Sequence, residues 1–260
     1  MSLLTNNPYI RTMKVQVKEE RWSRMDFILS FVSILFESLI YYLLFHGLWN
    51  TGGKIDPDQM VFYYVLINIV SLSFQPAQFV TWRLMDNINT GKIIHYIMRS
   101  YSYMFADYMQ SLTSFIRKSI VNFGILFFGA MLFFHEMICT NMMYFVLSLL
   151  LGFSILYFIQ AIIGCFTIWF KDVLRFRDVF MTLLMILGGR LIPSDMLFGN
   201  LKNAIYISPI PYIYDIPVKV WMGKGNITEI GYQFLWCVVL AGAYYCLYCC
   251  CVQHNIEMGT

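Results

Sequence analysis

Two short stretches carry residue types that bind metal ions in other proteins. Residues 135–139, HEMIC, begin like the zinc-binding helix H-E-x-x-H, but Cys139 stands where that helix has its second histidine. Residues 245–254 hold four cysteines at the end of an apolar run, where cysteine commonly packs as a small hydrophobic residue. We therefore predict no metal site, with acylation or metal binding at these cysteines as the minor alternative.

Residues for nucleotide binding and for catalysis are also missing. A phosphate-binding loop has the form G-x-x-x-x-G-K-[S/T], because backbone amides at that spacing surround the phosphates. The glycine–lysine clusters at 52–54 and 223–225 have neither the spacing nor the hydroxyl. An enzyme would need convergent His, Ser, Asp or paired carboxylates at one depth. Glu37 lies alone in its apolar run, and His46 and His135 lie at the edges of theirs. We predict no catalytic residue and no cofactor bound by this chain.

The composition defines the environment of these residues. Hydrophobic residues make up 59% of the 260 residues, charged residues 13%, and the mean hydropathy is +0.62. A soluble domain carries about 25% charged residues, which cover its water-facing surface. The chain is therefore predicted to be an integral membrane protein, with residues 1–260 forming one transmembrane domain. Residues 1–24 lack the apolar core of a signal peptide, so we expect the first span to anchor the chain.

Six apolar runs come close to the about 20 residues that a membrane-spanning helix needs. They lie at 27–48, 60–82, 119–134, 142–170, 179–193 and 230–252. Each should be helical, because lipid offers no partners for unpaired backbone groups. With six spans, thirteen of the eighteen Lys and Arg residues fall on the side of both termini. Basic loops stay in the cytoplasm, so we predict a multi-pass protein of the cell membrane with both termini cytoplasmic.

Two segments on the cytoplasmic side have helical patterns of their own. Residues 9–26 mix basic and apolar positions, which predicts an interfacial helix before the first span. In residues 84–118, apolar side chains recur at helical spacing, which predicts one or two amphipathic helices along the membrane surface. An inert surface helix is the alternative interpretation of the second segment.

The outer segment 194–227 follows a break in the fifth span. The sequence GGRLIP ends that span at Pro193, and two apolar pieces follow at 195–207 and 212–223, separated by SPIP at 208–211. Each piece is too short to cross a membrane and too apolar to stand in water. We predict a re-entrant helical pair at the outer mouth of a transport path, because irregular backbone at that depth needs protein or water around it.

Ionisable residues in or beside the spans are candidates for a role in such a path. Glu37 lies near the middle of the first span, where a charged group is costly and by default functional. It either contributes to a path or dimer contact, or is a neutral Glu bonded to a neighbour such as Tyr41. Arg190 at the outer end of the fifth span either extends to the interface or pairs with Asp195 or Asp215.

Two stretches resemble a known family. INTGKIIHYIMR at 88–99 is similar to the pattern I-x-x-G-x-(I/L)-x-x-Y/F-L-L-R-P, with Ser100 in place of the final proline. The second set lies at 189–193, 209–212, Pro217 and 221–223. It is similar to S-G-x-L-I-P … P-F-x-Y … P-x-x-x-x-x-G, with Gly188 in place of the serine. With the order of the segments, these motifs resemble the type-2 ABC exporter permeases, in the branch of similar length whose members often act as paired bacterial drug or peptide exporters.

The resemblance implies an all-α polytopic membrane protein with six transmembrane helices, an N-terminal interfacial helix, a coupling helix between spans two and three, and a re-entrant pair between spans five and six. ATP and Mg would be bound by a separate cytoplasmic ABC ATPase subunit, which contacts the coupling helix. The residues at the matching positions, with a second docking loop after the fourth span, are Asp86, Gly91, Lys92, Ile93, Ile94, His95, Tyr96, Arg99, Lys171, Asp172 and Arg175.

A permease of this size is half of a pathway, so the resemblance also implies a dimer with an identical copy or a related permease. In the family the first and fifth spans line the central path. The candidates for the path or the dimer interface here are Glu37, Arg190, Pro193, Pro209 and Pro211.

The implied function is export of a hydrophobic or amphipathic substrate, and drug, peptide, lipid and glycan all remain open. The alternative is an ATP-independent channel or scaffold, which would have no use for a coupling segment. The expected partners are the ATPase, the second permease and the lipid bilayer, and no nucleic acid.

Overall fold

The chain folds into a bundle of helices. In the computed structural model, the described residues are 29, 32–34, 36, 37, 39–43, 57–94, 102–133, 141–170, 172–191, 193 and 205–253. Every regular element among them is a helix, as predicted. The expected interfacial helix at 9–26 lies outside the described residues, and so do His95, Tyr96, Arg99 and Lys171.

The helices are numbered here in chain order. They are α1 (Val32–Leu43), α2 (Pro57–Ser73), α3 (Gln75–Gln78), α4 (Val80–Asn89), α5 (Tyr103–Phe133), α6 (Met142–Cys165), α7 (Leu174–Leu187), α8 (Pro211–Trp221) and α9 (Ile227–Leu247). A short 3-10 helix, Phe166–Ile168, continues α6, and a wider helical turn, Tyr248–Gln253, continues α9.

The central element is α6, which packs against α3, α4, α8 and α9. Its glycines allow the closest approaches. A Cβ atom on Gly152 would lie 2.8 Å from the carbonyl oxygen of Ile213 in α8, and one on Gly164 would lie 2.9 Å from the Leu84 side chain in α4. Small residues bring membrane helices into close contact in this way. The core therefore surrounds α6, whereas much of α9 is exposed.

The helices α2 to α4 form a single apolar stretch with a sharp bend. The axes of Gln59–Ser73 and Gln75–Asn89 differ by 54°. Pro76 lies just after the break, and proline both lacks a backbone N–H and clashes with the carbonyl four residues earlier. The polar side chains at the bend bond to other helices: Ser73 accepts from Asn122 (3.2 Å), and Gln75 accepts from Lys118 (2.6 Å). The proline thus explains the bend, and polar contacts with α5 hold it.

The structure supports part of the predicted topology. Among the described residues, two helices are long and apolar enough to cross a membrane, Met142–Ile168 and Ile227–Cys250, and the bent pair is a third candidate. These correspond to the fourth, sixth and second predicted spans, in that order. The predicted spans at 27–48, 119–134 and 179–193, and with them the six-span arrangement, stay predictions.

Two predicted boundaries were wrong. Residues 103–118 were expected to form a surface helix ahead of the third span, but they are the first half of the continuous 31-residue helix α5. No proline interrupts Tyr103–Phe133, and an amphipathic pattern is the same in a surface helix and in the extension of a span. The fifth predicted span, which corresponds to α7, was expected to end at Pro193, but the helix ends at Leu187, because Gly188 caps it and Gly189 takes a left-handed φ of +87°.

Candidate functional site

The turn after α4 is built by a glycine that ends the helix. The N–H of Thr90 bonds the carbonyl oxygen of Asp86 (2.9 Å), and the N–H of Gly91 bonds that of Ile88 (3.1 Å). Gly91 has φ +69°, the left-handed conformation that glycine adopts at a helix C-terminus. The sequence I-N-T-G thus encodes a defined turn at the position where a coupling segment was predicted.

The two isoleucines after this glycine point in different directions. Ile93 is only 1% exposed and belongs to the core, whereas Ile94 is 44% exposed. Burial of Ile93 anchors the turn to the bundle, because about 1.5–3 kcal/mol is gained when such a side chain leaves water. The exposed Ile94 is left as an apolar contact point on an anchored turn.

A charged pair crosses the same turn. Lys92 Nζ donates to Asp86 Oδ2 at 3.0 Å, with the two side chains 58% and 38% exposed. An exposed pair of this kind contributes about 0–1 kcal/mol to stability. Because both side chains are exposed, their charges remain accessible to another molecule, and the structure brings together two residues of the predicted coupling segment.

The second predicted docking loop has a similar local design. The Asp172 carboxylate accepts a hydrogen bond from the backbone N–H of Leu174 (3.2 Å) and lies 3.4 Å from Arg175 Nε. Val173 between them is buried and holds the loop to the bundle. The helix α4 contacts both the 3-10 helix before this loop and α7 after it. The two predicted docking segments are therefore anchored to neighbouring elements.

A buried polar cluster supports α4 from the side of α5. Arg83 Nε lies 3.3 Å from Asp107 Oδ1, Arg83 Nη2 donates to the Ser111 hydroxyl at 3.0 Å, and Asn87 Nδ2 donates to the Tyr103 hydroxyl at 3.1 Å. Asp107 is 4% exposed. Neither Arg83 nor Asp107 is among the site residues predicted from the sequence. The available signal was that Asp107 is the sole carboxylate between Asp86 and Glu136.

At the opposite end of the bundle, α8 is buried at every residue from Pro211 to Trp221. Asp215, with no exposed surface, lies 3.0 Å from Lys219 Nζ, and its Oδ1 is 2.7 Å from the Tyr63 hydroxyl in α2. The same hydroxyl lies 2.9 Å from the carbonyl oxygen of Gly189. Lysine and tyrosine thus bond the Asp215 carboxylate, and Tyr63 links α2 both to α8 and to the turn after α7.

The residues predicted for a path or dimer contact lie around this end. Arg190 is half-buried, Pro193 is buried, Pro209 is half-buried and Pro211 is the first residue of α8. Glu37 is half-buried, one turn before Tyr41 in α1.

Tyr41 connects the first helix with this end. Its ring stacks on that of Tyr64 with the centroids 4.1 Å apart. Glu37 and Arg190 both lie within electrostatic range of the Tyr41 phenol, so the structure brings these two candidates into one neighbourhood.

The apolar helical spans and the predominantly buried polar contacts between them define an integral membrane protein. The chain belongs to the ABC-2 transporter family, because the family model described as "ABC-2 family transporter protein" matches residues 56–254. It is an ABC transporter permease, a transmembrane subunit of a kind that is generally non-catalytic and works with an ABC ATPase subunit. The resemblance of the sequence to the type-2 ABC permeases is confirmed. No curated protein matches the chain.

Proposed function

We propose that this chain is the transmembrane subunit of an ATP-driven exporter, and that the turn at Gly91–Ile94 is its contact with a cytoplasmic ATPase that binds ATP and Mg. The observation that carries the proposal is the anchored turn itself. A left-handed glycine and the buried Ile93 fix the backbone, while Ile94, Lys92 and Asp86 stay accessible. A preorganised contact loses less conformational entropy when its partner binds.

The loop at 172–175 is the second part of the proposed contact. It presents the Asp172–Arg175 pair, with side chains 56% and 92% exposed. Because α4 packs against both elements that flank this loop, one partner of ordinary size can reach both segments. Lys171, His95, Tyr96 and Arg99 extend the proposed contact along the chain.

A second permease, identical or related, completes the proposed path. On one face of α7, four apolar side chains are exposed, and they recur every three or four residues. They are Phe176, Val179, Leu183 and Ile186. Such a stripe suits a helix partner, which agrees with a path lined by the first and fifth spans, near Glu37, Arg190 and the prolines Pro193, Pro209 and Pro211. The proposed cargo is a hydrophobic or amphipathic molecule moved out of the cytoplasm, across a cell membrane that leaves both termini inside.

The first test is copurification in mild detergent of the tagged chain with its ATPase, followed by an assay of ATP hydrolysis in the eluate. The variant Lys92→Glu reverses one charge of the turn. The matched control is Lys224→Glu, another exposed lysine, which bonds Gln59 (3.3 Å) away from the turn. We expect Lys92→Glu to reduce the amount of ATPase recovered, and Lys224→Glu to leave it unchanged.

The outcome decides between the two functions considered. An ATPase with a phosphate loop that is recovered with the native chain, and lost on scrambling 91–99 at normal expression, supports the exporter. A chain that elutes alone, with no associated hydrolysis of Mg-ATP, contradicts it and favours the ATP-independent channel or scaffold.

A further inference from the structure

The proposed ATPase contact at Gly91–Ile94, called the tip below, lies at the end of an antiparallel pair of helical segments, called the hairpin. One arm is α4, and the other is residues 103–111 of α5. The arms run in opposite directions and are joined by two sets of polar side-chain contacts, called rungs here. Arg83 bonds Asp107 and Ser111, and four residues further along α4, Asn87 bonds Tyr103. The rungs are about 6 Å apart along the helix, at about 1.5 Å per residue. Two such rungs define both the rotation and the sliding of one arm against the other.

The hairpin is also bonded to the central helix α6. Tyr157, which is fully buried, donates to Asp107 Oδ2 at 2.8 Å. The Thr81 hydroxyl lies 2.6 Å from Oε1 and 2.7 Å from the backbone carbonyl oxygen of Gln160. Asp107 therefore has a partner on each oxygen, one from α4 and one from α6, at a point where three helices meet.

An ion pair with a buried carboxylate, such as Arg83–Asp107, is a weak source of stability, because removing charge from water offsets most of the attraction. Apolar side chains of similar volume often stabilise such a site equally well. Unlike apolar side chains, a hydrogen-bonded ion pair is favourable in only one register of the two helices. Because Arg83 lies about two turns from Gly91, this position indicates that the pair fixes the register of the helices next to the proposed contact.

We propose that Arg83 and Asp107 are positioning residues that make α4 and the first turns of α5 one rigid arm. A displacement that the ATPase imposes at the tip then moves both arms and α6 together, and is not absorbed by sliding within the hairpin. The inference rests on the proposed function of the tip as the ATPase contact. It adds that coupling depends on a pair which touches neither ATP, nor the ATPase, nor the cargo.

The test uses Asp107→Asn and Arg83→Gln in the complex with the ATPase, and measures how far the permease stimulates hydrolysis of Mg-ATP. The control is Arg177→Gln. Arg177 has the same side-chain exposure as Arg83, 23%, but its ion pair is with its neighbour Asp178, within one helix. We expect the hairpin variants to lose at least tenfold of the stimulation at unchanged ATPase recovery, and the control to keep it.

A second measurement separates positioning from folding. Spin labels on the exposed positions Asn89 and Phe105 report the distance between the arms. We expect a narrow distribution in the native protein, unchanged by Mg-ATP, and a broadened one in Asp107→Asn. The double variant R83M/D107L should fold as well as the native chain and still show the broad distribution and the lost stimulation. If this double variant stimulates the ATPase normally, the pair is only structural and the proposal is wrong.

The two proposals fail in different ways. If the native chain recovers no ATPase, the proposed function fails, while the spin-label distances in the chain alone still test the rigid arm. If the ATPase is recovered and Asp107→Asn leaves both the distance distribution and the stimulation unchanged, the positioning role is refuted and the proposed function stands.

Discussion

The turn at Gly91 gives the most direct quantitative prediction, because its energy can be calculated from a single dihedral angle. A Cβ atom at this position would meet only Ile94 Cδ1, at an ordinary 3.7 Å, so the substitution Gly91→Ala causes no clash. The cost comes from the φ of +69°, which an L-residue adopts at about 1–2 kcal/mol. That corresponds to a change of about 5–30-fold in an equilibrium constant.

Two assays report this cost. In detergent, the midpoint of thermal unfolding of Gly91→Ala should fall by about 2–8 °C, since each kcal/mol shifts a chain of this size by about 2–4 °C. The affinity for the ATPase should fall by up to about 30-fold, to the extent that the free variant relieves the strain by leaving the native turn and must regain that turn on binding. Gly91→Asn should lose less of both, because asparagine tolerates the left-handed region better than alanine.

The control is Gly124→Ala in α5, where a Cβ atom would meet nothing within 4 Å. Glycine within a helix is less stable than alanine by about 0.5–1 kcal/mol, so this variant should unfold at a higher temperature. The two glycine-to-alanine changes therefore have opposite expected signs. Equal midpoints for Gly91→Ala and the native chain, or equal losses for Gly91→Ala and Gly91→Asn, would refute the reasoning from the dihedral angle.

Three further predictions concern the packing of the bundle. Gly152→Ala should destabilise the protein by about 1–3 kcal/mol in thermal unfolding, since the new Cβ atom would lie 2.8 Å from a backbone oxygen, whereas Gly231→Ala, with open space around it, should not. Lys219→Met removes the lysine partner of a fully buried Asp215 and should cost about 3–5 kcal/mol, seen as lost expression or early unfolding, with recovery in the double variant D215L/K219M. Pro76→Ala should straighten the 54° bend and lengthen the distance between spin labels on the two ends of the bent pair by about 5 Å, and an unchanged distance would show that the polar contacts alone hold the bend.

The segment that carries the proposed site could be identified from the sequence. The motif at 88–99 marked it by resemblance, but the left-handed conformation of Gly91 and the helix end before it were found only in the structure. Asp86 and Lys92, both predicted as part of this segment, are six residues apart in the chain, and the structure pairs them. Such a segment is marked by residues a few positions apart, so that a short pattern suffices to find it.

The predicted ends of the helices were less accurate, because they were inferred from a change in polarity or from a proline along the sequence. The break between a surface helix and the third span was inferred from a change in polarity, but polarity does not end a helix unless proline, glycine or a cap interrupts the backbone. In α5 nothing of that kind separates Ser102 from the apolar half. At the end of α7 the two glycines ended the helix before the proline did.

The buried polar clusters could not be found in this way. Asp107 and Arg83 are 24 residues apart in the chain, and Tyr63 and Asp215 are 152 apart. Whether two such side chains meet depends on the register of helices that pack through non-local contacts, and no periodicity within either segment specifies that register.

The sequence by itself determined that this protein is helical and lies in a membrane, because composition and apolar run length act within one segment at a time, and two of its motifs resembled a family of permeases. Only the tertiary structure decided which helix lies at the centre, how close α4 and α8 come to it through Gly164 and Gly152, and where the charges are paired. The physical reason is that burial and ion pairing are properties of the assembled bundle. A charged residue in an apolar sequence is costly until a partner from another helix reaches it.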